Sequence, residues 1–416
     1  MIASRKVRLF RLLALALLLA LVLPYVGAGV ARADAGWYNA SWQYRKQITI
    51  NSAYVTADLA YFPVLISLPS DGDLAGNAQS NGDDILFTDA DGTTKLSHEI
   101  EKFDGNTGQL VAWVRVPNLS SATNTDIYIY YGNGGAGNQQ DATNVWDASY
   151  VMVQHLEETS GGASAIQDST SYTNHGTDSN GPTLGATGRI NGAATFDGSN
   201  DLVDFSNASS LNTTGNMTVE AWIYPTVSNA GKWVVSKMQL GKLQYYLNIN
   251  GSGNIDFRFT SDGFLWYSAT AGVPTLNAWN HVVGVYNKSN VKVYLNTVET
   301  TGSAFTGSIQ STTAKVVIGD HYNFDGTYAF TGTIDEVRIS STARSAGWIQ
   351  TSYNNQSSPA TFYTLGSAAT QAPNAVGGIV YPVNKLRVLQ PWLLLFAFSM
   401  LSLATFGGIF SFRKSA

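Results

Sequence analysis

The fold of this chain is decided by two stretches, Ala193-Ala-Thr-Phe-Asp-Gly-Ser-Asn-Asp-Leu-Val-Asp-Phe205 and Phe330-Thr-Gly-Thr-Ile-Asp-Glu-Val-Arg-Ile-Ser340. Each is a strand-forming run with a glycine-containing turn and an acidic residue at the turn or just after it. The residues between them form short strand-like runs, punctuated by Asn and Gly at a spacing of roughly ten residues. This pattern predicts a β-sandwich or jelly roll over residues 150–366.

The segment before it, residues 34–149, alternates in the same way. Ile48 and Ile50 fall on one face of a predicted strand with polar residues between them, which is the period of a half-buried strand. Turn residues separate the successive runs, and none of the runs has a convincing helical period. We therefore predict a small β-sandwich domain that ends in a Gly- and Asn-rich linker at residues 132–141. The whole chain is expected to be all-β.

Both ends of the chain predict export and anchoring. Residues 1–33 have a basic start, an apolar run and a small-residue cleavage box, which together predict a signal peptide. Residues 389–412 are uncharged and long enough to cross a bilayer, and a basic tail follows at 413–416. Residues 367–388 have the composition of a stalk. We expect a single C-terminal transmembrane helix in the cytoplasmic membrane, with the body of the protein at the cell surface.

The composition narrows the classes of function. The 416-residue chain has no cysteine, which excludes thiol nucleophiles and iron–sulfur clusters, and its formal net charge is −5. The two ends carry nine positive charges and no negative ones, so residues 34–380 have a charge near −14. A surface this acidic disfavours nucleic acid and suits Ca²⁺. We therefore expect no nucleic-acid partner.

Two family resemblances overlie these patterns. Residues 34–149 resemble the DUF2341 family, through Trp42-Gln-Tyr-Arg-Lys46, Phe87–Thr94, His98-Glu-Ile-Glu101, Ala112–Pro117 and Ile129–Asn133. Residues 150–366 resemble laminin-G-like, concanavalin A-like jelly rolls, through His155-Leu-Glu-Glu158, Gly192–Gly198, Val219–Ile223, Trp279–Val283 and Ile334–Ile339. The first family has no established activity. The second resemblance implies a binding role and a first strand that lies beside the last one.

A structural calcium ion is the strongest cofactor candidate. Asp197, Asn200 and Asp201 place two carboxylates and an amide in one tight turn, and hard cations take six to eight oxygen ligands. The laminin-G-like resemblance implies that Asp335 and Asp168 come close to this turn. The alternative is that Asp197 and Asp201 only shape the turn by binding their own backbone.

An aromatic platform is the candidate ligand site. The candidate rings lie in predicted strands or loops with polar neighbours: Trp233, Tyr245, Tyr246, Trp266, Tyr267, Tyr322, Phe324 and Tyr328. The loop that begins at His321 is favoured, because it combines aromatic and amide side chains. The alternative is that most of these rings belong to the core, since aromatic residues dominate sandwich interiors.

An enzyme would need paired acids. Glu99 and Glu101 lie two residues apart on a predicted strand, with carboxyl groups roughly 6–7 Å apart on one face. The alternative is two solvated carboxylates at a strand edge. In Glu157-Glu158 and Asp335-Glu336 the neighbours are expected to point to opposite faces, so neither forms a pair.

These observations predict a membrane-anchored binding or adhesion protein of the cell surface. Its jelly roll is expected to recognise a glycan or a surface protein, through residues that include Trp233, Trp266, His321, Tyr322, Phe324 and Tyr328. We do not expect an enzyme. Two alternatives stay open: a carbohydrate-active enzyme resembling glycoside hydrolases, and a structural envelope component that associates with itself.

Overall fold

The computed structural model describes residues 36–228, 230–321 and 327–371. The predicted signal peptide, transmembrane helix and cytoplasmic tail lie outside these residues. Among the helices that it describes, none has the length and apolar character needed to cross a bilayer. Short antiparallel strands make up most of the regular secondary structure in the described chain, which confirms the all-β prediction.

The first domain begins with seven strands and one short helix. The strands are β1 (Tyr44–Ile50), β2 (Leu59–Leu68), β3 (Leu86–Asp89), β4 (Lys95–Leu96), β5 (His98–Asp104), β6 (Gln109–Leu119) and β7 (Thr125–Tyr131), and the helix is α1 (Gly72–Asn77). One sheet has the order β1-β7-β3-β4, and a second sheet has the order β2-β6-β5. Ile48, Phe87 and Trp113 are fully buried members of the core of this domain.

The second domain is a two-sheet jelly roll. Its strands are β8 (Tyr150–Gln154), β9 (Gly176–Ser179), β10 (Thr183–Thr187), β11 (Gly192–Asp197), β12 (Leu202–Phe205), β13 (Met217–Pro225), β14 (Lys232–Gln239), β15 (Lys242–Ile249), β16 (Ile255–Thr260), β17 (Trp266–Thr270), β18 (Asn280–Tyr286), β19 (Asn290–Leu295), β20 (Val298–Ala304), β21 (Val316–Ile318) and β22 (Thr331–Ser340). The eight-stranded sheet has the order β10-β11-β22-β13-β18-β19-β20, with β8 also paired to β22. The seven-stranded sheet has the order β17-β16-β15-β14-β21-β12-β9.

The stretches Ala193–Phe205 and Phe330–Ser340 pair with each other through β11 and β22. β11 and β22 run antiparallel, with Ala194 opposite Ile334 and Asp197 opposite Thr331. Ile334 and Val337 both point into the jelly-roll core, although a regular strand would place residues three apart on opposite faces. The strand accommodates this through a bulge against β13, at which Glu336 has φ of +52°.

The end of the described chain returns to the first domain. Helix α2 (Ala346–Ser357) is followed by the single turn α3 (Pro359–Phe362) and two short strands, β23 (Tyr363–Leu365) and β24 (Ala369–Thr370). Both strands pair with β1. The predicted boundary at residue 366 is therefore wrong in detail, since residues assigned to the jelly roll and to the stalk complete the sheet of the first domain.

Helix α2 lies between the two domains. Trp348 packs into the core of the first domain, and Ile349 packs on Val283 and Val285 of the jelly roll. The amide of Asn355 accepts a hydrogen bond from Leu65 N and donates one to Leu65 O, as a neighbouring strand would. Because β2 is an edge strand, this contact satisfies backbone groups that the sheet leaves unpaired.

Candidate functional site

An aromatic row crosses the outer face of the seven-stranded sheet. Trp233 and Tyr246 have ring centroids 4.3 Å apart, and Tyr246 and Trp266 have centroids 5.4 Å apart. Tyr328 extends the row, with its ring 5.9 Å from that of Trp233. We call these four side chains the aromatic row. They point away from the core of the jelly roll, because their neighbours in sequence, such as Tyr245, fill that core.

Polar side chains lie beside the aromatic row. Asn248 pairs across the strands with Trp233 and with Asp256, and Arg258 pairs with Tyr246. Arg258 Nε donates a hydrogen bond to Asp256. Asn248 Oδ1 is buried and accepts no hydrogen bond from any residue that the structure describes.

These polar residues were not among the candidates named from the sequence. The alternation in Ile255–Thr260 could have identified two of them, because Phe257 and Phe259 occupy the core and leave Asp256 and Arg258 on the other face.

The predicted platform residues differ in exposure. Trp266 is partly exposed, Tyr328 is 37% exposed, and Trp233 is 8% exposed. His321 is buried, with its ring 4.4 Å from that of Tyr328. Tyr322 and Phe324 lie outside the described residues. Two other candidate rings pack with the core, as the alternative for these rings has it: Tyr245 is fully buried, and Tyr267 stacks on Phe305 against the core.

The five residues predicted to bind calcium are not brought together. Asp197 lies four residues along the paired strands from the level of Asp335, a separation of about 13 Å. Asp335 instead accepts a hydrogen bond from Ile190 N, and Asp168 accepts hydrogen bonds from Val153 N and Asn174 N.

The turn itself is held by its own backbone. Asp201 accepts a hydrogen bond from Asp197 N, and Asp197 accepts one from Ser199 N. These contacts fit the alternative in which the two carboxylates shape the turn. Calcium at the turn, with Asn200 as a ligand, stays a prediction.

A second constellation lies between the two domains. His155 Nδ1 is 2.7 Å from Glu336 Oε1 and 3.0 Å from Glu101 Oε1, and His155 Nε2 is 3.4 Å from Glu99 Oε2. We call these four residues the acid–histidine cluster. The glutamates of β5 come from the first domain, and Glu336 comes from β22 of the jelly roll.

Two bulges build this cluster. The register of β5 shifts between Ile100 and Lys102, at the position of Glu101. On β22, the bulge at Glu336 turns Asp335 and Glu336 to the same side of the strand, and both are buried. The expectation that these two acids point to opposite faces is therefore wrong.

The Glu99–Glu101 pair is not solvated. The side chains of Glu99 and Glu101 are 13% and 1% exposed. Glu99 accepts hydrogen bonds from Trp146 Nε1 and Ser169 Oγ, and Glu101 accepts one from Trp113 Nε1. The alternative of two strand-edge carboxylates in water is therefore wrong.

Burial and mutual charge shift the pKa values in the cluster. Burial alone disfavours the imidazolium, yet the carboxylates around it raise the pKa of His155 well above its usual value. Burial raises the pKa of Glu101, to which the charge of Glu336 adds. Although burial opposes it, His155 and Arg338 hold the pKa of Glu336 below its usual value. Burial and the neighbouring charges therefore act in opposite directions on the pKa values of His155 and Glu336.

Two family models match the chain, one after the other. The model of DUF2341, which is a domain of unknown function, matches residues 81–173. The model of the concanavalin A-like lectin/glucanase superfamily, Laminin_G_3, matches residues 197–350. Two segments of the chain therefore match these families, DUF2341 first and the laminin-G-like family after it, in the order expected from the sequence. No curated protein matches its sequence.

Solved structures that resemble the chain include two binding domains and one domain of an arabinanase. The binding domain of Paraclostridial Mosquitocidal Protein 1 is 14% identical, with a TM-score of 0.40, and the match covers 49% of this chain and 52% of that one. Domain 4 of the arabinanase AbnA from Geobacillus stearothermophilus, in complex with arabinotriose, is 20% identical, with a TM-score of 0.40 and coverage of 49% and 97%. The ligand-binding domain of botulinum neurotoxin serotype D, with N-acetylneuraminic acid, is 16% identical, with a TM-score of 0.41 and coverage of 52% and 53%. This chain thus spans about half of the first and third of these structures, and TM-scores of this size assign no ligand to it.

The DUF2341 match does not end where the first domain ends. It includes β8 and His155, which fold with the laminin-G-like domain. Three members of the acid–histidine cluster therefore lie within the DUF2341 match, and Glu336 lies within the laminin-G-like match.

We expect the stability of this chain to fall as the pH rises from about 5 to about 8. Burial first, and then the charge of Glu101, raises the pKa of Glu157 from 4.5 to about 8. The folded chain keeps a proton there that the unfolded chain loses above pH 4.5, so folding is favoured less at higher pH. Above pH 6.5, the raised pKa of His155 acts in the same direction. The expected loss is on the order of 2–4 kcal/mol, reduced because Glu157 is partly exposed.

Urea unfolding at several pH values measures this effect. Glu157→Gln should flatten the slope between pH 5 and pH 8, whereas Glu299→Gln, at a carboxylate whose pKa is lowered, should leave it unchanged. A wild-type chain that gains stability over this range would contradict the expectation.

Proposed function

We propose that this chain is a glycan-binding protein whose ligand lies on the aromatic row. The observation that carries the proposal is the row itself, in which Trp233, Tyr246 and Trp266 form a continuous set of rings on the outer face of a sheet. Rings of this kind offer flat apolar surface to the faces of sugar rings, at little cost in side-chain entropy.

The neighbouring polar groups match the hydroxyl groups of a sugar. Asn248 Oδ1 is an acceptor without a partner among the described residues, and the exposed part of the Arg258 guanidinium, which Asp256 holds in place, offers donors. Ligand sites combine apolar contact area with a few polar groups that fix orientation. The aromatic row and its polar border have this composition.

Export and anchoring are also part of the proposal. The predicted signal peptide at residues 1–33 and the apolar run at 389–412 support a protein held at the outer side of the cytoplasmic membrane. A glycan-binding domain in that position fits a role in adhesion.

The paired acids give little support to the enzyme alternative. Glu101 is 1% exposed, and Trp113 and Trp146 hold Glu101 and Glu99 by their indole N–H groups. A polysaccharide would have to separate the two domains to reach them.

A glycan array with the full chain tests the proposal. Trp266→Ala should weaken binding to every positive glycan by about 30-fold, because removal of an aromatic residue that contacts the ligand typically costs about 2 kcal/mol. Tyr61→Ala is the matched control: this ring is 52% exposed and lies in the first domain against Arg115. The control should bind as the wild type does.

Three outcomes would overturn the proposal. One is an array without any bound glycan, and another is equal weakening by the two variants. The third is binding that Trp266→Ala leaves intact, which would place the ligand elsewhere. Capture of a surface protein, or self-association without a glycan, would support the alternative functions instead.

A further inference from the structure

We propose that the acid–histidine cluster binds one first-row divalent metal ion, for which Zn²⁺ is the probe, and that this ion joins the two domains. Its ligands are His155 Nδ1, Glu101 and Glu336. The inference is independent of the aromatic row and of the proposed glycan.

The donor atoms already converge. One ligand atom from each of Glu101, His155 and Glu336 lies within 4.8 Å of the other two. Zn²⁺ takes nitrogen and oxygen ligands at about 2.0–2.2 Å, so tetrahedral ligands stand about 3.4 Å apart. The present separations of 2.7 and 3.0 Å from His155 Nδ1 to the two carboxylates need only small side-chain rotations to admit an ion.

Each ligand is also held by a further buried group. Glu99 Oε2 faces His155 Nε2, so a neutral His155 that keeps its proton on Nε2 would present Nδ1 to a metal. Arg338 Nη2 donates to Glu336 Oε2, and Trp113 Nε1 donates to Glu101 Oε1. Metal-binding histidines almost always donate their second N–H group to a carboxylate or carbonyl, so this arrangement has the form of a metal centre.

One carboxylate oxygen of the cluster has no hydrogen-bond partner among the described residues. This oxygen is Glu101 Oε2, which is buried. A buried acceptor without a partner costs on the order of 1–3 kcal/mol. A bound metal ion would satisfy it.

The local charge is unbalanced without an ion. Five acidic side chains gather here: Glu99, Glu101, Glu157, Asp335 and Glu336. The positive groups that face them are His155, Arg338 and Arg189, of which Arg189 acts on Asp335. Arg338 also lies 4.0 Å from Glu220. A divalent ion would supply two positive charges to this group of carboxylates.

The donor set selects the kind of metal. One imidazole nitrogen and two carboxylates suit Zn²⁺ or a similar first-row ion. Ca²⁺ prefers six to eight oxygens and makes little use of a histidine.

Metal content measures the site directly. The full chain, first stripped with a chelator and then dialysed against Zn²⁺, should retain one ion per chain by mass spectrometry. Because the metal displaces a proton from His155, affinity should rise with pH. A stripped chain that retains no Zn²⁺ above a buffer blank would overturn the proposal.

Variants separate this site from non-specific binding. Glu101→Gln should abolish stoichiometric retention, and Glu99→Gln should weaken affinity by about 10–100-fold, because Glu99 only orients the histidine. Glu220→Gln is the matched control, since it alters another buried histidine–glutamate pair, with His281 Nε2 2.8 Å from Glu220 Oε1. Unchanged retention in Glu101→Gln would overturn the proposal.

One measurement does not depend on folding of the variants. A wild-type crystal grown with Zn²⁺ should show an anomalous peak at the zinc edge within about 2.5 Å of His155 Nδ1. A peak only at other residues, or none at all, would overturn the proposal.

Discussion

Replacing Arg338 by methionine is expected to lower the free energy of unfolding by about 3–5 kcal/mol. The side chain of Arg338 is 1% exposed, and its guanidinium donates to Glu336 and lies 4.4 Å from the ring centroid of Trp113. The variant keeps the apolar volume but leaves the buried carboxylate of Glu336 with less compensation. The loss of the cation–π contact adds to the cost.

Denaturant unfolding of the two chains measures this difference. Lys315→Met is the matched control, because Lys315 is 55% exposed and pairs with Asp204 at the surface of the same domain. An exposed pair of this kind contributes about 0–1 kcal/mol. If Arg338→Met lowers the free energy of unfolding by no more than Lys315→Met does, the buried pair of Arg338 and Glu336 does not contribute the stability that we expect.

Trp348→Ala is expected to cost about 3–5 kcal/mol as well, through a cavity. The indole lies in the core of the first domain, 4.8 Å from the ring centroid of Phe62, although it is carried by a helix that follows the laminin-G-like domain. Since helix α2 contacts both domains, the variant should lower the whole unfolding transition and not only one part of it.

Calorimetry distinguishes these outcomes. Trp279→Ala is a suitable control, because this ring is partly exposed and contacts Tyr224 of the jelly roll. A Trp348→Ala chain that unfolds in two separate steps, with the jelly-roll step unchanged, would show that the domains do not share their stability.

Local alternation predicted much of the fold. In β19, Val291 and Val293 are buried with Lys292 half exposed between them, and the same period identifies most strands of both domains. The pairing of β11 with β22 followed from the family resemblance and is confirmed. These features are local or carried by motifs, so a single sequence reveals them.

Features that depend on distant contacts were not predicted. β23 and β24 are short and lie more than 300 residues from β1, so only the folded chain shows that they pair. The bulge at Glu336 breaks the period of two, which is why the alternation rule placed Asp335 and Glu336 on opposite faces.

The candidate site was predicted in part for a similar reason. The residue type alone makes an aromatic side chain a candidate for sugar binding, so Trp233, Trp266 and Tyr328 could be proposed from the sequence. Asn248 and Asp256 could not, because their importance lies in the strands that place them beside those rings.

The most direct test of glycan recognition is a crystal structure of the full chain with the strongest glycan from the array. We expect a sugar ring stacked about 4 Å from the ring of Trp266 or Tyr246. We also expect a sugar hydroxyl to donate a hydrogen bond to Asn248 Oδ1. A sugar bound elsewhere, with the aromatic row free, would contradict these expectations.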